Sequence, residues 1–179
     1  MDRKEFLKGA ATGLCACAAA CFPVAAETPQ TTDWRFGFVQ RRYTKLMSML
    51  SETMSDAELQ RTLMQLGSYC SSEGDQVLDR YMGDVEGFAA QSRTSSSGDS
   101  VTYDRDRQVV TMTSPDRTDC FCPLNSVKAK TPGMVCNCSL GWQKHTWEKI
   151  LQKKVRVELK EAVLRGDKRC TFEIHILPA

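Results

Sequence analysis

Four cysteines are spaced as two C-x-C pairs, Cys120-Phe121-Cys122 and Cys136-Asn137-Cys138, with 13 residues between them. In extended chain, residues i and i+2 point the same way, so each pair can offer two sulfurs to one centre. Pro132-Gly133 supplies a turn that can fold one pair back over the other. Four thiolates at one point make the tetrahedral environment that zinc takes in closed sites, and they also suit an iron–sulfur cluster. Two other chemistries fit the same residues. The pairs can be cross-linked as disulfides that staple the loop, in which case no cofactor is involved; a bond inside one C-x-C pair would be strained. Alternatively, one thiol is reactive. Cys138 precedes Ser139-Leu140-Gly141-Trp142 at the mouth of an expected helix, whose dipole would lower the thiol pKa and favour thiolate as ligand or nucleophile. If the chain is an enzyme, Cys138 is its candidate catalytic residue.

Cys70 and Cys170 are secondary candidates. Cys70 follows Gly67-Ser68-Tyr69 at the end of an expected helix, and Cys170 lies on the apolar face of an expected strand, where it reads first as a small core hydrophobe. With both facing the pairs, a six-cysteine centre results. The two histidines read as solvated: His145 among Lys144, Lys149 and Lys153, and His175 alternating outward with Thr171 and Glu173. No Gly-rich phosphate loop and no Ser/His/Asp arrangement is present in the sequence.

Residues 2–8 contain Arg3-Lys4 before an Ala/Gly-rich apolar stretch from Gly9 to Ala20; Pro23 and Val24-Ala25-Ala26 follow. This resembles a twin-arginine export signal with lysine for the second arginine, so residues 1–26 are expected to be an export signal peptide, and the rest periplasmic or cell-surface. Lipid anchoring at Cys17 or Cys21 is the second reading. Cleavage after Ala26 would remove Cys15, Cys17 and Cys21 and leave six cysteines, an even number in an oxidising compartment. The twin-arginine route, in contrast, carries proteins already folded, which suits a metal loaded before export.

The remainder, 27–179, is expected to be one domain. Twenty-four basic and 22 acidic residues in 179 leave a formal charge of +2, which gives no electrostatic case for nucleic acid as partner. No stretch reaches the roughly 18 apolar residues of a membrane-spanning helix. A small-molecule ligand is the expected partner.

Three amphipathic helices are expected in the first half. Val39, Tyr43, Leu46, Met47, Leu50 and Met54 recur at helical spacing; Ser55 with Glu58 is a capping-box signature opening a second helix that Gly67 would stop; Val77 to Ala89 make a third. Beyond the Ser/Gly-rich stretch 93–100, Val101 to Tyr103 and Gln108 to Thr113 flank a polar turn and read as a hairpin. A short helix is expected near Trp142 to Leu151 with Trp142, Trp147 and Ile150 in the core, then strands over 155–160 and 170–176. Helices first and strands afterwards predict an α+β fold, with N-terminal amphipathic helices packed on one face of an antiparallel sheet.

The double C-x-C, the run Cys136-Asn137-Cys138-Ser139-Leu140-Gly141-Trp142 and the tail Gly166-Asp167-Lys168-Arg169-Cys170-Thr171-Phe172-Glu173-Ile174 resemble bacterial and archaeal proteins related to 4-vinyl reductase-type domains. Some of these relatives are described as L-2-amino-thiazoline-4-carboxylic acid hydrolase-like. The resemblance covers the last third well and the helical half by general pattern. It implies a 4-vinyl reductase-like fold, a small hydrophobic ligand, and Cys120, Cys122, Cys136 and Cys138 as a metal site with Cys70 and Cys170 facing the same cavity. The expected activity is then a non-catalytic module binding zinc or an iron–sulfur cluster. The alternatives are a hydrolase of a cyclic amidine or thiazoline carboxylate, and a disulfide-stapled binding protein.

Overall fold

Ser55 and Glu58 form the expected capping box. The Ser55 hydroxyl accepts the Glu58 N–H, and the Glu58 carboxylate accepts the Ser55 N–H at 3.1 Å. The box separates α1 (Trp34–Thr53) from α2 (Asp56–Ser72) in a computed structural model that describes residues 34–178. The export signal expected over 1–26 lies outside the described residues. Met47 of α1 meets Leu59 and Leu63 of α2 and Val135 in a small core that Tyr43, Leu50 and Met54 border. Val39 and Leu46 of the expected inner stripe are instead 48% and 50% exposed, because apolar residues occupy more than one side of α1 and only one side meets α2.

Gly67 does not stop α2. The helix runs five residues further, with Gly67 buried in its middle. The expected third helix is broken into α3 (Asp75–Leu78), a 3-10 turn (Asp79–Tyr81) and α4 (Val85–Thr94). Gly83 lies between the last two at φ +77°, a left-handed conformation that glycine adopts without a Cβ penalty. Asp84 then caps α4, its carboxylate accepting the Gly87 N–H at 2.8 Å.

β1 (Ser100–Asp104) and β2 (Val109–Thr113) form the expected hairpin, and β3 (Val155–Glu161) and β4 (Thr171–Ile176) complete an antiparallel sheet in the order β1-β2-β4-β3. The period of two puts Val101, Val110, Val155, Phe172 and Ile174 into the main core, where they meet Trp147 and Ile150 of α5 (Cys136–Leu151) and Val85 and Ala89 of α4. Trp147 and Ile150 are fully buried, and Phe88 stands edge-on to Trp147 with ring centroids 5.3 Å apart. Trp142, expected in that core, is 45% exposed. The class is therefore α+β, with helices layered on the apolar face of a four-stranded sheet. Among the described residues, no helix is long and apolar enough to cross a membrane.

Candidate metal centre

α5 begins earlier than its apolar pattern suggests. Pro132 leads into a 3-10 turn (Gly133–Val135), and the helix then starts at Cys136, so Cys136 and Cys138 both occupy its first turn. At 3.6 residues per turn, positions two apart lie about 200° apart around the axis. The second C-x-C pair is thus helical and splayed, not extended with both sulfurs on one side. Cys138 packs with the α1–α2 core beside Leu59 and Leu63. Cys136 is buried, and its thiol feels the guanidinium of Arg165.

α2 reaches this turn through two glycines. A Cβ on Gly67 would sit 1.8 Å from the Cys138 carbonyl oxygen, and one on Gly141 would sit 1.9 Å from that of Met64. The backbones are therefore in direct contact, and the Ser68 hydroxyl donates to the Gly141 carbonyl at 3.1 Å. One turn beyond Gly67, Cys70 lies close enough to Cys138 to raise its thiol pKa more than any other sulfur does.

The first C-x-C pair sits in an irregular loop held from two sides. Ser114 and Cys170 exchange bonds, Cys170 N–H to Ser114 Oγ at 3.0 Å and Ser114 N–H to the Cys170 carbonyl at 2.9 Å. Arg117 N–H donates to the Lys168 carbonyl at 2.8 Å. On the other side, Gln40 of α1 donates to the Pro123 carbonyl at 3.0 Å, and the Thr44 and Thr131 hydroxyls are 3.1 Å apart. Asp119 organises the interior of the loop. Its carboxylate accepts the Cys120 and Val127 N–H groups at 2.9 and 2.7 Å and the Ser126 hydroxyl at 2.9 Å. Burial raises the Asp119 pKa, but these bonds outweigh it and hold the carboxyl below its ordinary range.

Six sulfurs from four separated stretches thus come to the start of α5, and all six are free thiols. Burial pushes Cys138 up to about 12, with the sulfurs of Cys70, Cys122, Cys120 and Cys136 adding to it, and Cys136 up to about 11. Burial also raises Cys120 and Cys170. The thiol-lowering effect expected of the helix dipole at Cys138 is outweighed by desolvation. Cys120 receives a side-chain donor, Asn125 Nδ2 at 3.8 Å, and nearby backbone N–H groups lower the Cys120, Cys136 and Cys170 thiols, though burial outweighs them. Such N–H···S contacts are the outer-shell support that metal-bound thiolates use.

Several participants were invisible in the sequence because the sulfurs they face are far along the chain, Cys138 for Tyr43 and Cys170 for Asp99 and Arg117. Tyr43 stands against the sulfurs, its hydroxyl pKa raised first by burial and then by Cys138, Cys122, Cys70 and Cys120. Asp99 is raised by burial, partly countered by Ser97 and by Arg117, whose Nη2 lies 3.9 Å away. Arg117 stacks over Phe121 at 5.0 Å and leaves its buried Nε without a hydrogen-bond partner; the buried Asn125 Oδ1 is in the same condition.

The histidines are not simply solvated. His145 Nε2 lies 2.8 Å from Asp75 Oδ1, in a network where Lys149 joins Asp75 and Asp79. His175 Nε2 is buried, 3.5 Å from Glu173 and 3.8 Å from Glu158. Among the described residues, Glu158, Glu173 and His175 are the one set of three donor atoms already within 4.8 Å of one another. Lys160 bridges both carboxylates there at 3.1 and 3.2 Å, and Arg156 also pairs with Glu158, so the negative charge is already matched. Two surface depressions of about 170 and 420 Å³ share Lys153 and Ile176 in their walls, and no cysteine lines either.

No protein-family model matches the sequence, and no curated protein does. Among solved structures, the fold is similar to that of a trafficking protein particle complex subunit 3 from Naegleria fowleri, covalently bound to palmitic acid. The TM-score is 0.54 at 15% identity, over 81% of this chain and 96% of that one. It is also similar to an H-NOX protein from S. oneidensis in the Fe(II)NO state, with TM-score 0.45 and 13% identity over 80% of this chain and 74% of that one. The H-NOX domain from Shewanella oneidensis in the Fe(II)CO state gives 0.43 and 14% over 81% and 75%. At these identities the trafficking subunit speaks for the shared α+β fold alone.

Proposed function

We propose that this chain is an exported, non-catalytic module of 4-vinyl reductase-like fold whose cysteines bind a thiophilic metal, zinc or an iron–sulfur centre. The observation that carries the reading is the gathering of six cysteines from α2, the 120–122 loop, the first turn of α5 and the entry to β4 around one helix terminus. Cys120, Cys122, Cys136 and Cys138 are the principal ligands in this reading, with Cys70 and Cys170 beside them. A metal ion deprotonates the thiols it binds, so high thiol pKa values in the metal-free protein are compatible with ligation. They weigh against Cys138 as the nucleophile of the hydrolase reading. At a pKa of about 12 only about one Cys138 in 10⁵ is thiolate at pH 7, which is a poor nucleophile population.

The test is elemental analysis and thiol titration of protein purified without added metal, followed by melting with and without chelator. At least one zinc or iron per chain, with a lower melting temperature after chelation, is the expected result, since metal that binds only the folded state adds its binding energy to stability. Equal melting temperatures for loaded and demetallated samples would overturn it.

A further inference from the structure

Cys136 and Cys138 open α5 about 200° apart, and each has its own neighbours. On one side, Cys138 packs into the α1–α2 core, and the Gly67 contact with its carbonyl brings Cys70 alongside one turn later. Cys122 belongs to this side too, because the next residue, Pro123, accepts the bond from Gln40 of α1 one turn before Tyr43. On the other side, Gly133 packs on the 163–165 turn, with its Cβ position 3.2 Å from Arg165 Cγ and 3.3 Å from the Leu164 carbonyl. The Val163 backbone of that same turn lowers the Cys170 thiol, and Cys170 borders the main core, not the α1–α2 core. Cys120 follows the stretch in which Ser114 and Arg117 are bonded to Cys170 and Lys168.

Resting on the metal-binding reading above, we propose that the six cysteines form two three-sulfur sites on opposite sides of the start of α5, each for one soft, filled-shell cation. The first is Cys70, Cys122 and Cys138; the second is Cys120, Cys136 and Cys170. The electrostatic neighbours follow this division except at Cys120: Tyr43 feels Cys138, Cys122 and Cys70 ahead of Cys120, and Cys136 feels Cys120 and Cys170, but Cys120 also feels Cys122, and Cys138 feels Cys120 and Cys136 after Cys70 and Cys122. Three thiolates suit copper(I), and they suit zinc when a fourth position is left for water or another donor. Neither trio is closed to within 4.8 Å as it stands. A turn between staggered rotamers moves a cysteine sulfur by about 3 Å. Binding releases the thiol protons and involves no redox step.

The experiment loads reduced, metal-free full chain with zinc alone, removes unbound ion by gel filtration and measures zinc per chain. About two zinc ions are expected for the unaltered chain, and about one for Cys138→Ser and for Cys136→Ser. The doubles separate the sites: Cys70→Ser with Cys138→Ser keeps about one, whereas Cys70→Ser with Cys170→Ser keeps none. Cys120→Ser combined with Cys136→Ser keeps about one if Cys120 belongs to the second site. Far-UV circular dichroism identifies any variant that fails to fold, and the Cys70 and Cys170 single variants, outside the first turn of α5, then stand in for it. One zinc per chain, lost in both Cys136→Ser and Cys138→Ser, overturns the two-site arrangement and leaves the metal-binding function standing. No zinc in the unaltered chain overturns both.

Discussion

Replacing Gly141 with alanine tests the close approach on which the whole cysteine arrangement depends. The added Cβ would meet the Met64 carbonyl oxygen at 1.9 Å, Met64 C at 2.6 Å and Met64 Cα at 2.7 Å, all backbone atoms that no side-chain rotation can remove. Real Cβ contacts stay beyond 3.0 Å, so α2 and α5 must part by about 1 Å, enough to forfeit a quarter to a half of the dispersion energy across the seam. Overpacking of this kind costs about 1–3 kcal/mol, and the rigid backbone contact puts Gly141→Ala near the upper end, at about 3 kcal/mol. Alanine returns up to about 1 kcal/mol of helix propensity, for a net loss of about 2 kcal/mol. Gly37→Ala in α1 is the internal control. The nearest atom there is the flexible Arg41 Nη1 at 3.4 Å, so only the propensity gain remains. Urea denaturation followed by far-UV circular dichroism should separate the two variants by about 3 kcal/mol, with Gly37→Ala at or above the unaltered protein. Gly141→Ala should also hold metal more weakly, because Cys70 and Cys138 move apart with the helices. A Gly141→Ala protein as stable as the parent would refute the reasoning.

Four further outcomes are expected. Ser55→Ala removes the α2 cap and should cost about 1 kcal/mol in chemical denaturation, because the Glu58 N–H loses its acceptor. Thr146→Val strands the buried Ser71 hydroxyl that now lies 2.8 Å from the Thr146 hydroxyl, a loss of about 1–3 kcal/mol that Ser71→Ala in the same chain should largely restore. Asp119→Ala frees the Cys120 and Val127 N–H groups and should weaken zinc retention about 10- to 100-fold in a chelator competition, a loss that outweighs removal of the carboxylate charge raising the Cys120 thiol. At Glu148, burial raises the pKa but bonds from Lys144 and the Val155 N–H outweigh it and hold the carboxyl below its ordinary value. Its contribution is therefore present above the ordinary glutamate range and lost as pH falls through the lowered folded value. Glu148→Gln should accordingly show a shallower loss of melting temperature on acidification than the parent, and parallel curves would contradict this.

The local features were legible in the sequence because local chemistry alone produces them. Ser55 and Glu58 can satisfy each other within one turn, and the alternating residues of 101–113 and 155–176 have the strand's period of two, which marks the strands without fixing that β2 pairs with β4. The α+β class followed from the order of those periods, and the six cysteines stood out by residue type alone. Tertiary structure decided where their sulfurs point. Cys136-Asn137-Cys138 can be extended or helical with nothing local to choose between them; in the folded chain the helix starts at Cys136 with its first turn against Gly67 of α2, which turns the two sulfurs apart. Gly67 has the composition of a helix stop, but the facing carbonyl of Cys138, 71 positions away, makes it a contact point inside α2. Tyr43 joined the site through Cys138, and Asp99 and Arg117 through Cys170, all far away in sequence. Periodicity reports which side of an element is apolar; which elements meet, and therefore which sulfurs share a side of α5, depends on close packing between segments whose separation no local pattern encodes.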